Sequence, residues 1–249
     1  ADTYLRMATL YRRLQRPDDA ERQILQARQR APGNLEVVYS QATLYEEQGR
    51  YDDALRVASE AINTVKQQGI TPARRRNLAI LYQLQGRLNS NAGNYTAAIG
   101  AFQELQKLGP EEDQRARILI VQSYRDARDI SGAFAEMNKA LAAYPKDRNL
   151  LISQALLYGE NGQPDLAAQS LRALLTRSAM DREIHINVAQ VYLQNRRYAE
   201  AEESIRSAES SAKDSDDKET TDFLRASIYE HQLKYDLAEQ SFKGVIASN

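Results

Sequence analysis

The chain has 249 residues, 42% of them hydrophobic, enough to bury a real core in one large or two ordinary domains. Thirty-three basic side chains face thirty-four acidic ones, so no net field draws in nucleic acid or an anionic bilayer. The absence of cysteine removes disulfides, thiolate nucleophiles and sulfur-ligated zinc together, and it permits an oxidising compartment without requiring one.

The first two elements set a pattern that the rest of the chain repeats. On either side of Pro17, apolar residues recur three and four apart, the spacing of two amphipathic helices. The next unit contains QATLYEEQGRYDDA, from Gln41 to Ala54, and QALLYGENGQPDLA, from Gln154 to Ala167, is nearly the same phrase. An alanine follows a tyrosine by nine residues at Tyr11 and Ala20, Tyr45 and Ala54, Tyr124 and Ala133, Tyr158 and Ala167, Tyr192 and Ala201, and Tyr229 and Ala238. Asn89 stands in the tyrosine place ahead of Ala98. Successive alanines are 34, 44, 35, 34, 34 and 37 residues apart, a period of 34 with three insertions, and such a period marks stacked repeats.

Each unit therefore reads as a pair of helices. Ala8, Ala42, Gly86, Ala155, Ala189 and Ala226 lie three residues before the tyrosine column, with Val121 the exception. Small side chains there let helices approach closely, and the alanine column does the same on the second helix. Gly49, Gly93 and Gly162, with Pro17 and Pro164, fall between the helices of a pair. Pro32, Pro110 and Pro145 fall at or after the ends of second helices, where proline cannot continue a helix.

Two of the three insertions matter for the architecture. Thr71-Pro72 reads as an N-cap followed by proline at the first helical position, and Gly69 as the cap of the preceding helix. The ten extra residues lengthen both flanking helices by about a turn, giving a helical corner around residues 66–76. Residues 210–222, SSAKDSDDKETTD, read as a longer polar loop leading to a capped helix start.

The pattern small-x-x-Tyr, Gly-x-Tyr-x-x-Ala and a closing proline resembles the tetratricopeptide repeat, and the resemblance covers essentially the whole chain. Asp18, Asp53, Glu200 and Asp236 supply the acidic residues usual at that turn. The tryptophan often found early in the first helix is replaced by Tyr4, Val38, Tyr82 and Leu151. The resemblance implies an all-α fold, an α-solenoid winding as a right-handed superhelix of about seven helix-turn-helix repeats. A single domain spanning 1–249 is expected, with units at about 1–34, 35–68, 79–112, 114–147, 148–181, 182–215 and 219–249. The chain begins at Ala1 and its first methionine is Met7, so the segment reads as one excised from a longer chain.

No catalytic pattern emerges. His185 and His231 form no paired-ligand spacing, and the eleven glycines are scattered at turns and helix ends, without a phosphate-binding loop. The reading is non-enzymatic, with no cofactor and no metal. Ten of the fourteen tyrosines fall in the tyrosine column or in the turn column of Tyr51, Tyr95, Tyr198 and Tyr235, so their register explains them without nucleic-acid stacking. No apolar run is long enough to span a bilayer. A soluble protein is expected, in the cytoplasm or a bacterial periplasm.

In the family, first helices line a concave face that holds a peptide or protein segment. Helical spacing places on that stripe Tyr39, Thr43 and Glu46; Gln83 and Arg87; Ile118, Gln122 and Arg125; Ile152 and Leu156; Ile186, Gln190 and Leu193; and Phe223. The stripe is apolar at one level and polar at the next, which allows either packing between units or a track for a partner segment. The clamp by which some relatives hold a chaperone's terminal carboxylate is absent, since Leu5, Thr9, Ser40 and Thr43 hold its places. The expected function is a non-catalytic scaffold for a protein partner, without nucleic-acid binding or membrane insertion. The alternative is a spacer or docking segment of a longer repeat array in a bacterial envelope or export assembly, with self-association through the C-terminal edge at Phe242, Val245 and Ile246.

Overall fold

The computed structural model of the protein describes residues 1–178, 181–211 and 216–247. Among them lie fourteen α-helices and no strand. The chain divides into two compact units, Ala1–Glu136 and Met137–Asn249.

The first unit contains α1 (Asp2–Arg13), α2 (Pro17–Arg30), α3 (Leu35–Glu47), α4 (Tyr51–Gln67), α5 (Pro72–Asn91), α6 (Tyr95–Gln106) and α7 (Pro110–Asp126), and the division falls within α8 (Ile130–Ala143). The second contains α9 (Arg148–Glu160), α10 (Pro164–Arg172), α11 (Asp181–Gln194), α12 (Tyr198–Ser210), α13 (Asp216–His231) and α14 (Tyr235–Ala247). Within each unit consecutive helices pack as hairpins, and each hairpin stacks on the next, α2 against α3, α4 against α5 and α10 against α11. First helices also touch one another, α3 with α5 and α5 with α7 in the first unit, α9 with α11 and α11 with α13 in the second. This is the stacking of an α-solenoid.

The turn inside each hairpin is the same seven times. A residue five positions after the tyrosine column donates its N–H back to the carbonyl of that column, as Arg50 does to Tyr45 at 2.8 Å and Arg197 to Tyr192 at 2.8 Å. That closure requires the intervening residue to be left-handed. Gly49, Gly93 and Gly162 supply it at φ 72°, 77° and 72°. Gln15, Arg128, Arg196 and Leu233 adopt the same conformation at φ 55°, 59°, 59° and 60° without the freedom of glycine.

Three first helices, α3, α5 and α9, start with side-chain caps. Asn34 accepts from the N–H groups of Glu36 and Val37 at 2.8 and 3.2 Å, and Asp147 from Leu150 at 2.8 Å. Thr71 caps α5 by accepting from Arg74 N at 3.3 Å, with Pro72 at the first helical position and Gly69 left-handed before it. The expected corner is present: α4 runs 17 residues and α5 runs 20, against 14 in α2 and 13 in α3. Arg74 ties the corner by donating to the Gln68 carbonyl at 2.6 Å, which satisfies an orphan carbonyl at the end of α4.

Pro110 follows the end of α6, as expected, and also opens α7, because its missing N–H costs nothing at a helix start. One expectation needs correction. The polar stretch 210–222 is loop over less of its length than its composition suggests, since α13 already begins at Asp216; residues 212–215 lie outside the described residues.

The two columns of small residues form the core. Ala20, Ala54, Ala98, Ala133, Ala167 and Ala201 are fully buried and Ala238 nearly so, while Ala8, Ala42, Ala155, Ala189 and Ala226 are at most 2% exposed. Tyr45 and Tyr192 are buried beside them, and Asn89 fills the tyrosine place with its amide donating to the Gln85 carbonyl at 2.9 Å.

Candidate functional site

A pocket of about 500 Å3 opens in the first unit, walled by first helices of three successive hairpins. Tyr39 comes from α3, Ile80, Gln83 and Arg87 from α5, and Leu119 and Gln122 from α7. Leu84 and Phe102, both buried, also line it. Tyr39 and Ile80 are exposed at its rim. The site is apolar with a polar edge, the chemistry that suits an apolar side chain carried on a hydrogen-bonding backbone.

The edge charges are largely engaged within the protein. Arg87 Nη1 lies 2.6 Å from Glu46 Oε2, and Asn91 donates to Glu46 Oε1 at 2.6 Å. Burial works against the Arg87 charge, and the Glu46 carboxylate, helped by Tyr39, more than restores it, so its pKa is raised. Arg12 reaches across from α1 to pair with Glu47. On α7, Arg125 donates to Gln122 Oε1 at 2.7 Å while Gln122 donates to Asp126 at 2.6 Å. Gln83 carries an amide with no hydrogen-bond partner among the described residues, and it lines the pocket half-buried.

Of the stripe expected from helical spacing, Tyr39, Gln83, Arg87 and Gln122 converge on this pocket. Thr43 is half-buried with no partner for its hydroxyl among the described residues, and Glu46 serves as the brace for Arg87. Ile118 lines a shallower depression with Gln114, Arg115 and Leu119. In the second unit the stripe is drawn toward the core: Ile152 is buried, and Leu156, Ile186 and Leu193 pack against the same apolar cluster. Gln190 is half-buried, and Phe223 is 53% exposed, edge-on to Phe242 at 5.7 Å between ring centroids.

Spacing alone overlooks Ile80 and Phe102. Ile80 lies one turn before Gln83 on the same face, at a position that Glu36 holds in α3 and Arg115 in α7, so α5 alone of these three turns an apolar side chain to the pocket there. Phe102 belongs to a second helix and reaches the pocket because Gly86 has no side chain to block it. The glycine in an otherwise alanine-rich column is the signal that points to it.

The tetratricopeptide-repeat family model matches residues 5–69, 84–148 and 152–217. The chain belongs to the tetratricopeptide-repeat family. No curated protein gives a match. Among solved structures, a tetratricopeptide repeat protein from Parabacteroides merdae is 17% identical, with 100% of this chain and 93% of that chain covered at a TM-score of 0.64. BtubC from P. vanneervenii is 12% identical over 98% of this chain and 90% of that one at 0.49, and MamA from Desulfovibrio magneticus 16% identical over 69% and 91% at 0.48. At these identities the likeness is one of fold. Tetratricopeptide repeats commonly serve as protein-interaction scaffolds, and no described helix of this one is long and apolar enough to cross a membrane.

Proposed function

We propose that this tetratricopeptide-repeat chain is a non-catalytic scaffold that seats an apolar side chain of a protein partner in the pocket of its first unit. The observation that carries the reading is the convergence of Tyr39, Gln83, Arg87 and Gln122, from three different first helices, around a floor of Leu84 and Phe102. A partner segment with an aliphatic or aromatic anchor buries that side chain against the floor, and its backbone bonds the free amide of Gln83. Because Arg87, Gln122 and Arg125 are already held by neighbours, the rim is fixed before binding and the partner alone loses conformational freedom. The remaining stripe, Ile118 in the first unit and Leu156, Ile186, Gln190, Leu193 and Phe223 in the second, is proposed as secondary contact.

The test is a peptide-library selection on the whole chain, followed by affinity measurements on Tyr39→Ala and Arg125→Glu. Tyr39→Ala is expected to weaken a selected ligand roughly 10- to 100-fold, as for a central aromatic anchor. A confirmed ligand indifferent to both substitutions removes the groove assignment.

An architectural role is the second reading. It is favoured by one observation, the apolar residues exposed on the terminal hairpins, among them Leu10, Leu237 and Ile246.

A further inference from the structure

A second pocket, of about 670 Å3, lies in the first unit and shares no residue with the first. Arg74, Asn77 and Leu81, three and four apart, turn one face of α5 to it, while Gln83 and Arg87 turn another face to the first pocket. The helical corner builds it. Lengthened α4 and α5 run past the short connection at Pro32 and Gly33 of the neighbouring hairpin, and the hollow lies beneath that overhang. Val57 and Val65 of α4, Val38 of α3 and Leu81 of α5 make an apolar floor. Asn63, Gln67 and Asn77 stand around it, their amides without a hydrogen-bond partner among the described residues. Two charged residues in the wall, Arg28 and Glu60, pair with each other at 2.6 Å and cancel.

The corner beside this hollow is basic and unbalanced. From Ala61 to Gln103 the sequence holds no aspartate or glutamate, whereas no other acid-free stretch of the chain exceeds 16 residues. The basic residues of that stretch are Lys66, Arg74, Arg75, Arg76 and Arg87. Two of the five are answered: Arg87 by Glu46, and Lys66 by the Tyr82 ring at 5.5 Å and the Glu104 carboxylate. Arg74 donates to the backbone carbonyls of Gln68 and Gly69 at 2.6 and 3.4 Å, which takes up its hydrogens and leaves its charge. Arg75 and Arg76 are exposed and form no ion pair among the described residues. First helices α3, α7 and α11 carry acids in their first turns, where the helix dipole favours them; α5 carries none. At the apex Ile70 is 62% exposed.

We propose that the corner is a second docking site, taking an acidic segment of a protein partner that lays an aliphatic or aromatic side chain on the floor of the hollow. Its carboxylates meet Arg74, Arg75 and Arg76, and its backbone bonds the amides of Asn63, Gln67 and Asn77. Charge complementarity selects this occupant, because three arginines stand beside an apolar hollow with no acid of their own to answer them. The apolar surface is concave and edged by amides, which suits a side chain on a peptide backbone better than a flat anionic bilayer. No aromatic ring among the described residues lines the hollow, so a nucleic-acid strand would find charge there and nothing on which to stack its bases. The repeat itself does not require this site, since it rests on the ten residues inserted between the second and third units.

The test is selection of a random displayed peptide library on the whole chain, with affinities then measured on the doubly reversed variant Arg75→Glu, Arg76→Glu and on Ala61→Leu. Arg75 and Arg76 are exposed and unpaired, so their reversal leaves the fold intact, and circular dichroism checks both variants. Ala61 lines the hollow, and a leucine there occupies the place of the partner's side chain. A class of selected peptides carrying Asp or Glu beside an apolar residue should lose roughly 10- to 100-fold in affinity on the charge reversal, and roughly 10-fold on Ala61→Leu. The same peptides should bind Tyr39→Ala as they bind the wild type, whereas a ligand of the first pocket responds to Tyr39→Ala and to neither corner variant, so each reading can fail alone. Phosphatidylserine vesicles and an oligothymidylate are measured alongside. The proposal is overturned if no selected peptide responds to the charge reversal, if those that respond are indifferent to Ala61→Leu, or if vesicles or the oligonucleotide bind through Arg75 and Arg76 while no peptide does.

Discussion

Phe102 stands where a side chain on Gly86 would have to be. A Cβ at Gly86 would overlap the ring at Cε1 and Cζ, and even Cδ1 would lie only 2.8 Å away, inside any real contact. Replacing glycine by alanine within a helix ordinarily gains about 1 kcal/mol, but forcing a methyl group against a packed ring costs about 1–3 kcal/mol. The ring is buried at the floor of the pocket, so it has little room to retreat. Gly86→Ala is therefore expected to lower stability by about 1 kcal/mol in urea denaturation followed by circular dichroism. Adding Phe102→Leu should restore part of the loss, and a Gly86→Ala protein as stable as wild type would contradict the packing.

This pair also marks the limit of what the sequence disclosed. Helix pairs, turn positions and the lengthened corner at Thr71-Pro72 were readable because each rests on a local rule with a short range: three- and four-residue spacing, proline at a helix start, glycine in a left-handed turn. Tyr39, Gln83, Arg87 and Gln122 followed from the same spacing. Phe102 did not, because a second-helix residue joins the groove only through the missing side chain of a glycine on another helix. Nor did spacing show that Ile152 is buried while Tyr39 is exposed, since both occupy the same register and differ in what packs beside them. The pairing of Glu46 with Arg87, 41 residues away, is equally a matter of stacking.

The four hairpin turns without glycine hold a side chain in left-handed backbone, at a cost of about 1–2 kcal/mol each, partly offset by the greater freedom that glycine has when unfolded, about 0.5–1 kcal/mol. Leu233 is the clearest case, left-handed at φ 60° and 71% exposed, so truncation removes little packing. Leu233→Gly and Arg196→Gly are each expected to stabilise by about 0.5–1 kcal/mol. The reverse change, Gly49→Ala at φ 72°, should destabilise by a similar amount. Thermal unfolding of the three variants decides the matter, and equal melting temperatures would argue against strain at this turn.

Glu46 and Arg87 brace α3 against α5 beside the pocket, with the Glu46 side chain 13% exposed and that of Arg87 40%. The more buried carboxylate gains most from the pair, while the exposure of Arg87 lets solvent screen part of the attraction. A double-mutant cycle of Glu46→Gln and Arg87→Gln should return a coupling of about 1 kcal/mol at low salt. The coupling should shrink as salt is added without vanishing, because one partner is sheltered. A null coupling would show that the two side chains only happen to be near each other.

His185 lies half-buried on α11, and burial lowers its pKa; the Asp181 carboxylate raises it in part, and Arg172 adds to the lowering. The unfolded imidazole titrates near about 6.5, so on acidification the unfolded chain takes up this proton before the folded one does. The folded state is then favoured fully above about pH 6.5 and loses stability as the pH falls from there toward the lower folded pKa. Carboxylates held below their ordinary range, such as Asp181 and Glu200, act in a different window, losing their contribution only as the pH falls through about 4 and below. Between roughly pH 7.5 and 5.5 the histidine is thus the principal source of slope. The melting temperature of the wild type should fall over that range, and His185→Gln, neutral at every pH, should flatten the dependence. A slope that persists unchanged in His185→Gln would assign the effect to another group.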